Sequence, residues 1–255
     1  MTRQSVWLNI GALLFALGLL ACWQVLADMR VISPVFFPPP SRALSELWSR
    51  LADGSAWPSI QATSVRMLFG WFFASLLGIV LGAAIGSSRI ARDFLEPTLE
   101  FIRPLPASAI IPVAILFLGL SNQMSVAVIA FGAIWPVLLS SVHGFSSIHG
   151  RLQEVSAVLG FSRIEFLRKI AIPSATPDIM SGVRVSLAIS LILAVVTEMQ
   201  ASLPGIGHDI FMAQRNFRSA DLYAGLILLG VIGFCINYAL LVFEKRLLRW
   251  RTPNS

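Results

Sequence analysis

Apolar residues in this chain fall in six long stretches, and the polar residues collect between them. The stretches are 6–26, 65–86, 108–120, 124–142, 183–199 and 222–243. A membrane-crossing helix needs about 20 mostly apolar residues. Five of the six reach or approach that length. The third is short and broken by Pro112, and the fourth carries Pro136. The runs are too long for core strands and lack the alternation of barrel strands. The pattern therefore predicts an all-α polytopic membrane protein with about six transmembrane helices, residues 1–255 forming one transmembrane domain.

The intervening segments have characters of their own. Residues 31–57 carry Pro34, Pro38, Pro39 and Pro40, then Ser41, which is expected to cap a short helix through Leu51. Residues 201–220 form a second loop on the same side, with Pro204-Gly205-Ile206-Gly207 as a turn. Within 89–103, Leu95, Leu99 and Ile102 share a helical face, as in a helix lying in the membrane interface.

Composition sharpens the class. Hydrophobic residues make up 56% of the chain and charged residues only 13%, against about 25% in an ordinary soluble domain. Mean hydropathy is +0.78. A soluble globule would have to expose the excess to water, and disorder needs the opposite composition. The net charge of +6 would suggest nucleic acid in a soluble chain. Here the basic residues orient the chain in a bilayer, and no nucleic-acid partner is expected. With the N-terminus inside, thirteen of the 19 Lys and Arg residues, from Arg3 to Arg251, fall on the cytoplasmic side. That split obeys the positive-inside rule and places both termini and the 244–255 tail in the cytoplasm.

The first stretch contains Leu19-Leu20-Ala21-Cys22, which has the look of a lipoprotein processing box. The apolar run is longer than a signal h-region and continues past the cysteine. Trp7 and Trp23 bracket it as interfacial anchors would, so a retained helix is expected. Cys22 and Cys235 both lie in apolar runs and read as buried thiols.

Gly78, Gly82 and Gly86 recur every four residues in the second stretch and would let another helix approach closely. Such a face suits either static packing or a helix that slides at a transport pathway. Ionisable residues within the spans are scarce, so each is a functional candidate. Arg66 and Glu198 lie at the same depth, near the outer ends of their spans. They could pair to close the outer end of a pathway, or snorkel separately to headgroups. No metal or catalytic cluster is expected. His143 and His149 share a loop, His208 lies on the other side, and all three read as solvated.

The segment 143–182 is the richest in local signals. Leu152, Val155, Val158 and Leu159 form one helical stripe, and Gly160 suits a left-handed helix end. Ser162 with Glu165 three residues on is a capping box for a second helix. Ile164, Leu167, Ile170 and Ala171 give that helix its own stripe, and Pro173 predicts its end. Phe161 and Phe166 are left as aromatic knobs for a partner's groove, unless the hairpin packs on its own protein.

In this segment Glu154, Ser156, Gly160, Ile170 and Pro173 fall at the spacing of the signature loop of ABC importer permeases, which the chain resembles. The family usually begins Glu-Ala-Ala; here Val155 and Ser156 replace the alanines, followed by Ala157. Arg103-Pro104-Leu105-Pro106-Ala107 with Ile111-Pro112 is similar to the entry to the third span in the nitrate, sulfonate and taurine branch. So are Ser64-Val65-Arg66, Gly70, Gly182-Val183-Arg184, Glu198-Met199, Gly205-Ile206-Gly207 and the ending 244–250.

The resemblance implies a type I importer permease in a bacterial inner membrane, forming half of a pore with a second copy. It implies two cytoplasmic ATP-binding subunits that grip residues 152–173, and an external substrate-binding protein. ATP and Mg would bind those subunits and no cofactor this chain, which carries no Gly-x-x-x-x-Gly-Lys-Ser/Thr phosphate cradle. The rival reading, a stand-alone secondary transporter, calls for internal repeats and mid-span charge, and the chain shows little of either.

Overall fold

The computed structural model describes residues 3–148 and 150–249, with side chains from residue 11 onward apart from 13, 149 and 153. Every regular element among them is helical. In order these are α1 (Arg3–Asp28), α2 (Pro40–Ala52), α3 (Trp57–Gly86), α4 (Arg89–Ile102), α5 (Ala107–Leu118), α6 (Asn122–Ser146), α7 (Gly150–Val158), α8 (Arg163–Phe166), a π-turn (Leu167–Ala171), α9 (Ile172–Ala201), α10 (Ile206–Arg215) and α11 (Ser219–Leu247).

Four helical runs are long and apolar enough to cross a membrane: Trp57–Gly86, Asn122–Ser146, Arg163–Ala201 and Ser219–Leu247. The broken third stretch is α5, which meets α4 at 88°. At 1.5 Å per residue α5 is about 18 Å long, short of a hydrocarbon core of about 30 Å. The described apolar part of α1, Leu14–Asp28, is also shorter than a full crossing. The helix runs through Cys22 to Asp28 without a break. The expectations for the side chains of Arg3, Trp7, His149, Trp250 and Arg251 lie outside the described residues.

Local chemistry places several boundaries. Ser121 caps α6 by accepting from the Met124 N–H at 3.1 Å. Gly119, at φ 67°, ends α5 in the left-handed region. Ser41 does not cap α2: the helix starts at Pro40, whose fixed φ suits a first turn. The Ser41 hydroxyl instead accepts from Gln24 of α1 at 3.0 Å. Ile206 and Gly207, expected in a turn, open α10 instead.

The helices α3, α6 and α9 form the centre, and their core includes Met67, Ile129, Val137, Val183, Leu187 and Ala194. Gly70, Gly78, Gly82 and Gly86 all face α6. A Cβ at Gly78 would lie 2.8 Å from Val137 Cβ, and one at Gly82 would lie 2.4 Å from Ser141 Cβ. The four-residue spacing is therefore the seam where α3 and α6 approach. Two polar contacts tie α9 to the other two helices. Trp71 Nε1 donates to the Val183 carbonyl at 3.0 Å, and the Ser125 and Thr197 hydroxyls share a 2.7 Å hydrogen bond.

The peripheral helices α1 and α11 touch through Trp23 and Tyr223, with ring centroids 5.3 Å apart. Leu14, Phe15, Val231 and Phe234 stand exposed on them. Cys22 and Cys235 are exposed too, not buried as expected. In a bilayer protein an apolar run does not imply burial, because its outward face meets lipid.

Placing a methyl group on the glycine seam should be destabilising. Gly82→Ala is expected to cost about 1–3 kcal/mol, the usual range for overpacking. It should lower the thermal unfolding midpoint of the detergent-solubilised chain. Gly230→Ala on α11, where a Cβ meets nothing within 4 Å, should not lower that midpoint.

Candidate functional site

The structure joins Arg66 and Glu198. Glu198, on the last turn of α9, is 0% exposed, and Arg66 of α3 is 5% exposed. Arg66 Nη1 donates to Glu198 Oε1 at 2.5 Å. Two charges buried without further partners would cost more desolvation than their attraction returns, and here each of the three Arg66 nitrogens donates to an acceptor. Arg66 Nε donates to Asn122 Oδ1 at 2.7 Å and Nη2 to the Pro204 carbonyl at 2.5 Å. Glu198 Oε2 accepts from the Thr63 hydroxyl at 3.0 Å and from the Gly207 N–H at 2.9 Å. The Thr63 oxygen in turn accepts from the Ile206 N–H at 2.9 Å.

The last two contacts have a clear physical meaning. Ile206 and Gly207 open α10, and the first N–H groups of a helix have no partner inside it. Gly205 has no side chain to cap them, so Glu198 and Thr63 supply the acceptors from two other helices. A carboxylate there also meets the positive end of the helix dipole. Gly205 is required for space. Its φ of 161° is ordinary extended backbone, but a Cβ would lie 2.3 Å from Glu198 Cδ. Gly207 likewise lets α10 press on α9, where a Cβ would be 2.5 Å from the Val195 carbonyl oxygen.

A cavity of about 850 Å³ opens beside the network between α3 and α6, lined by Arg66, Asn122, Gln61, Gln123, Phe69 and Phe73 among others. Met199 is half-buried next to Glu198. Gly78 and Gly82 sit in the α3–α6 seam rather than in this cavity. Sequence reading missed Thr63, Asn122 and the Pro204 carbonyl. Thr63 lies one turn before Arg66 on the same face, a signal that was available. Asn122 and Pro204 are brought in by tertiary packing alone. Arg184 and Glu244 were both singled out, yet their ion pair between α9 and α11 was not foreseen.

At the opposite end of the bundle, the segment between α6 and α9 forms a capped projection. Gly160 has φ 68°. The Phe161 N–H reaches the Ser156 carbonyl at 3.0 Å, and the Gly160 N–H reaches Ala157 at 3.1 Å. That pair of bonds is a Schellman termination of α7. Ser162 and Glu165 form the reciprocal capping box at the start of α8. Lys169 Nζ lies 3.0 Å from Glu165 and 4.6 Å above the Phe161 ring.

Two details depart from expectation. Pro173 does not end the second helix: the helical run continues from Arg163 to Ala201. Pro173 is the second residue of α9 and lies inside this continuous run, where its missing N–H leaves one backbone bond unmade. The π-turn Leu167–Ala171 immediately precedes it. Nor are Phe161 and Phe166 the exposed knobs: both are half-buried, and Phe166 packs on the core. The exposed large apolar residues are Leu152, Val155, Val158 at 87%, Leu159, Ile164 and Leu167. Glu154 and Ala157 are exposed, Ser156 is buried, and Ile170 and Pro173 are half-buried.

Of the histidines, His143 is exposed on the last turn of α6 and His208 is half-buried in α10, less solvated than expected. Among the described residues no group of three His, Cys, Asp or Glu side chains could hold a metal ion.

An apolar helical bundle with a buried ion-pair network at one end and a capped, apolar-tipped projection at the other is the architecture of a multi-pass membrane protein. The chain belongs to the family described as binding-protein-dependent transport system inner membrane component, which matches residues 74–250. It is 30% identical over 249 residues to a Bacillus subtilis permease named for aliphatic sulfonates transport, covering 98% of this chain and 90% of that one. It is 29% identical to the taurine transport system permease of Escherichia coli, covering 97% and 90%. It is 27% identical to the nitrate import permease of Synechocystis, covering 89% and 85%. In fold it is similar to the methionine ABC transporter MetNI in inward-facing form. That likeness has a TM-score of 0.63 and 17% identity, and covers 76% of this chain and 94% of the other. The protein is thus the permease component of an ABC importer.

Removing one partner of the buried pair leaves the other uncompensated, at a cost of about 3–5 kcal/mol. Arg66→Met and Glu198→Met are each expected to cut the yield of folded protein and its unfolding midpoint sharply. The double Met variant should lose far less than the sum, as a double-mutant cycle on unfolding midpoints would show. Exchanging the charges should not restore stability, because an arginine at 198 would face the Gly207 N–H as a second donor.

Proposed function

We infer that the chain forms half of the translocation pathway of an ATP-driven importer, paired with a second copy of itself. Two ATP-binding subunits dock on the α7–α8 projection, and an external binding protein delivers the solute. ATP and Mg bind those subunits, and this chain carries neither an ATPase site nor a cofactor. The chain lies in a bacterial inner membrane with both termini cytoplasmic, which puts the projection inside and the Arg66–Glu198 network outside. The carried solute is a small anion of the sulfonate, taurine or nitrate kind, on the strength of the names its relatives bear.

The observation that carries this reading is the projection itself. Val155, Val158, Leu159 and Ile164 expose an apolar tip on two helices fixed by a Schellman end and a capping box. An apolar tip held rigid by backbone bonds suits insertion into a partner's groove. The run from Arg163 to Ala201 is helical throughout, so a push on α8 is delivered along α9 toward Glu198. At the other end all three nitrogens of Arg66 are engaged within the protein. Arg66 and Glu198 therefore act as a clamp holding the outer end of the pathway, with Met199 beside it, rather than as a ligand for the solute. Gly78 and Gly82 let α3 and α6 move as one body.

Docking is tested by co-purifying the chain with its candidate ATP-binding subunits. Val158→Asp or Gly160→Val, the latter straining a left-handed backbone by about 1–2 kcal/mol, should abolish co-elution and solute-stimulated ATP hydrolysis while the chain still inserts. Co-elution indifferent to both changes would falsify the docking assignment. Solute uptake by vesicles holding the chain alone would favour a secondary transporter.

A further inference from the structure

A cavity of about 730 Å³ lies at the projection end, between the close of α3, the start of α4, the end of α6 and the α8–π segment. Arg89, Arg92 and Arg163 line it, with Phe145, Phe166 and Leu167 among its walls. None of the three guanidiniums joins an ion pair among the described residues. The pairs near this end are Lys169–Glu165 and Arg184–Glu244. Three cations around one cavity repel each other, and an anion seated among them would relieve that repulsion. The planar donor fork of arginine matches the oxygens of a phosphate.

The surroundings indicate which anion. Helix α4 turns 88° from α5, and its first turn lines this cavity. Ile90, at 83% exposed, Phe94 and Phe101 stand on one of its faces, spaced four and seven residues apart as a single stripe requires. Leu95, Leu99 and Ile102 on another face are half-buried. A helix that bares an apolar stripe beside a basic first turn suits the level of lipid headgroups. Arg89 and Arg92, in its first turn, are then at phosphate depth. Basic pockets between helices on the cytoplasmic side are suited to acidic headgroups.

We propose that this arginine-lined cavity binds the phosphate group of an anionic phospholipid from the adjacent leaflet. Arg163 opens α8, so a bound phosphate braces the projection against α4 and links lipid composition to its position. The bracing consequence rests on the docking role of the projection. The binding itself needs only the cavity and the membrane.

Native mass spectrometry on the purified full chain tests the proposal, with phosphatidylglycerol, phosphatidylethanolamine and inorganic phosphate as probes. Phosphatidylglycerol should be retained in preference to phosphatidylethanolamine. Retention should weaken by about five-fold for each arginine of the three changed to Gln. Arg92→Lys, which keeps the charge but not the fork, should weaken it less than Arg92→Gln, and Arg42→Gln on α2 should change nothing. If millimolar phosphate binds in the same arginine-dependent way and displaces the lipid, the site takes the free anion; if it does not, the lipid is the source. Equal phosphatidylglycerol retention by the wild type and a triple Gln variant with an unchanged unfolding midpoint would overturn the proposal. So would arginine variants that keep the lipid but lose the ATP-binding subunits, which would assign the cavity to an acidic side chain of that partner. Arginine-dependent lipid retention by a chain that binds no ATP-binding subunit at all would sink the docking role alone.

Discussion

A salt bridge with almost no access to solvent is the constraint around which one whole end of this permease is arranged. Taking Arg66 and Glu198 out of water is tolerable only if each remaining donor and acceptor is met. Meeting them requires α3, α6, α9 and the start of α10 to converge on one point. The arrangement is reciprocal. The carboxylate needs N–H donors, and the uncapped start of α10 has them to offer. The glycine at 205 leaves room for the carboxylate, and the glycine at 207 brings the donor within reach. Changing any member would leave a charged or polar group buried and unmatched.

The opposite end follows a different logic. There the backbone itself supplies the rigidity, through a left-handed glycine, a capping box and a helix that passes through Pro173 without stopping. Side chains that would normally be buried are left bare at the tip. Between the two ends the glycine seam of α3 and α6 brings backbones close enough for dispersion contacts to hold the bundle where no hydrophobic effect operates between helices. A stiff centre, a clamped end and a protrusion at the opposite end are the parts expected of a machine that moves as rigid bodies.

Much of this was legible in the chain. The capping box and Gly160 could be read because their bonds are local: donor and acceptor lie within five residues. The glycine spacing could be read because helical periodicity puts every fourth residue on one face. Arg66 and Glu198 stood out because charge is rare inside a membrane, and scarcity marks a position without geometry. Other features stayed hidden for equally physical reasons. Pro173 looked like a helix end because it lacks an N–H, yet the helical run passes through it directly after the π-turn. Phe161 and Phe166 looked like knobs because aromatic residues bury much area at interfaces, but Phe166 packs on the core and Phe161 is half-buried beside Lys169. The cysteines looked buried because apolar neighbours imply an interior in water, and in lipid they do not.

The sequence by itself determined the class of protein, the helical runs, the local caps and the positions of scarce charge. All of these depend on interactions between near neighbours or on the average cost of placing a residue in lipid. Only the tertiary structure decided that Thr63, Asn122 and the Pro204 carbonyl complete the buried network and that the α3 glycines face α6. It also decided that Arg89, Arg92 and Arg163 meet around one cavity. Those outcomes join residues far apart along the chain, so they depend on which helix faces which, and no local preference encodes that choice.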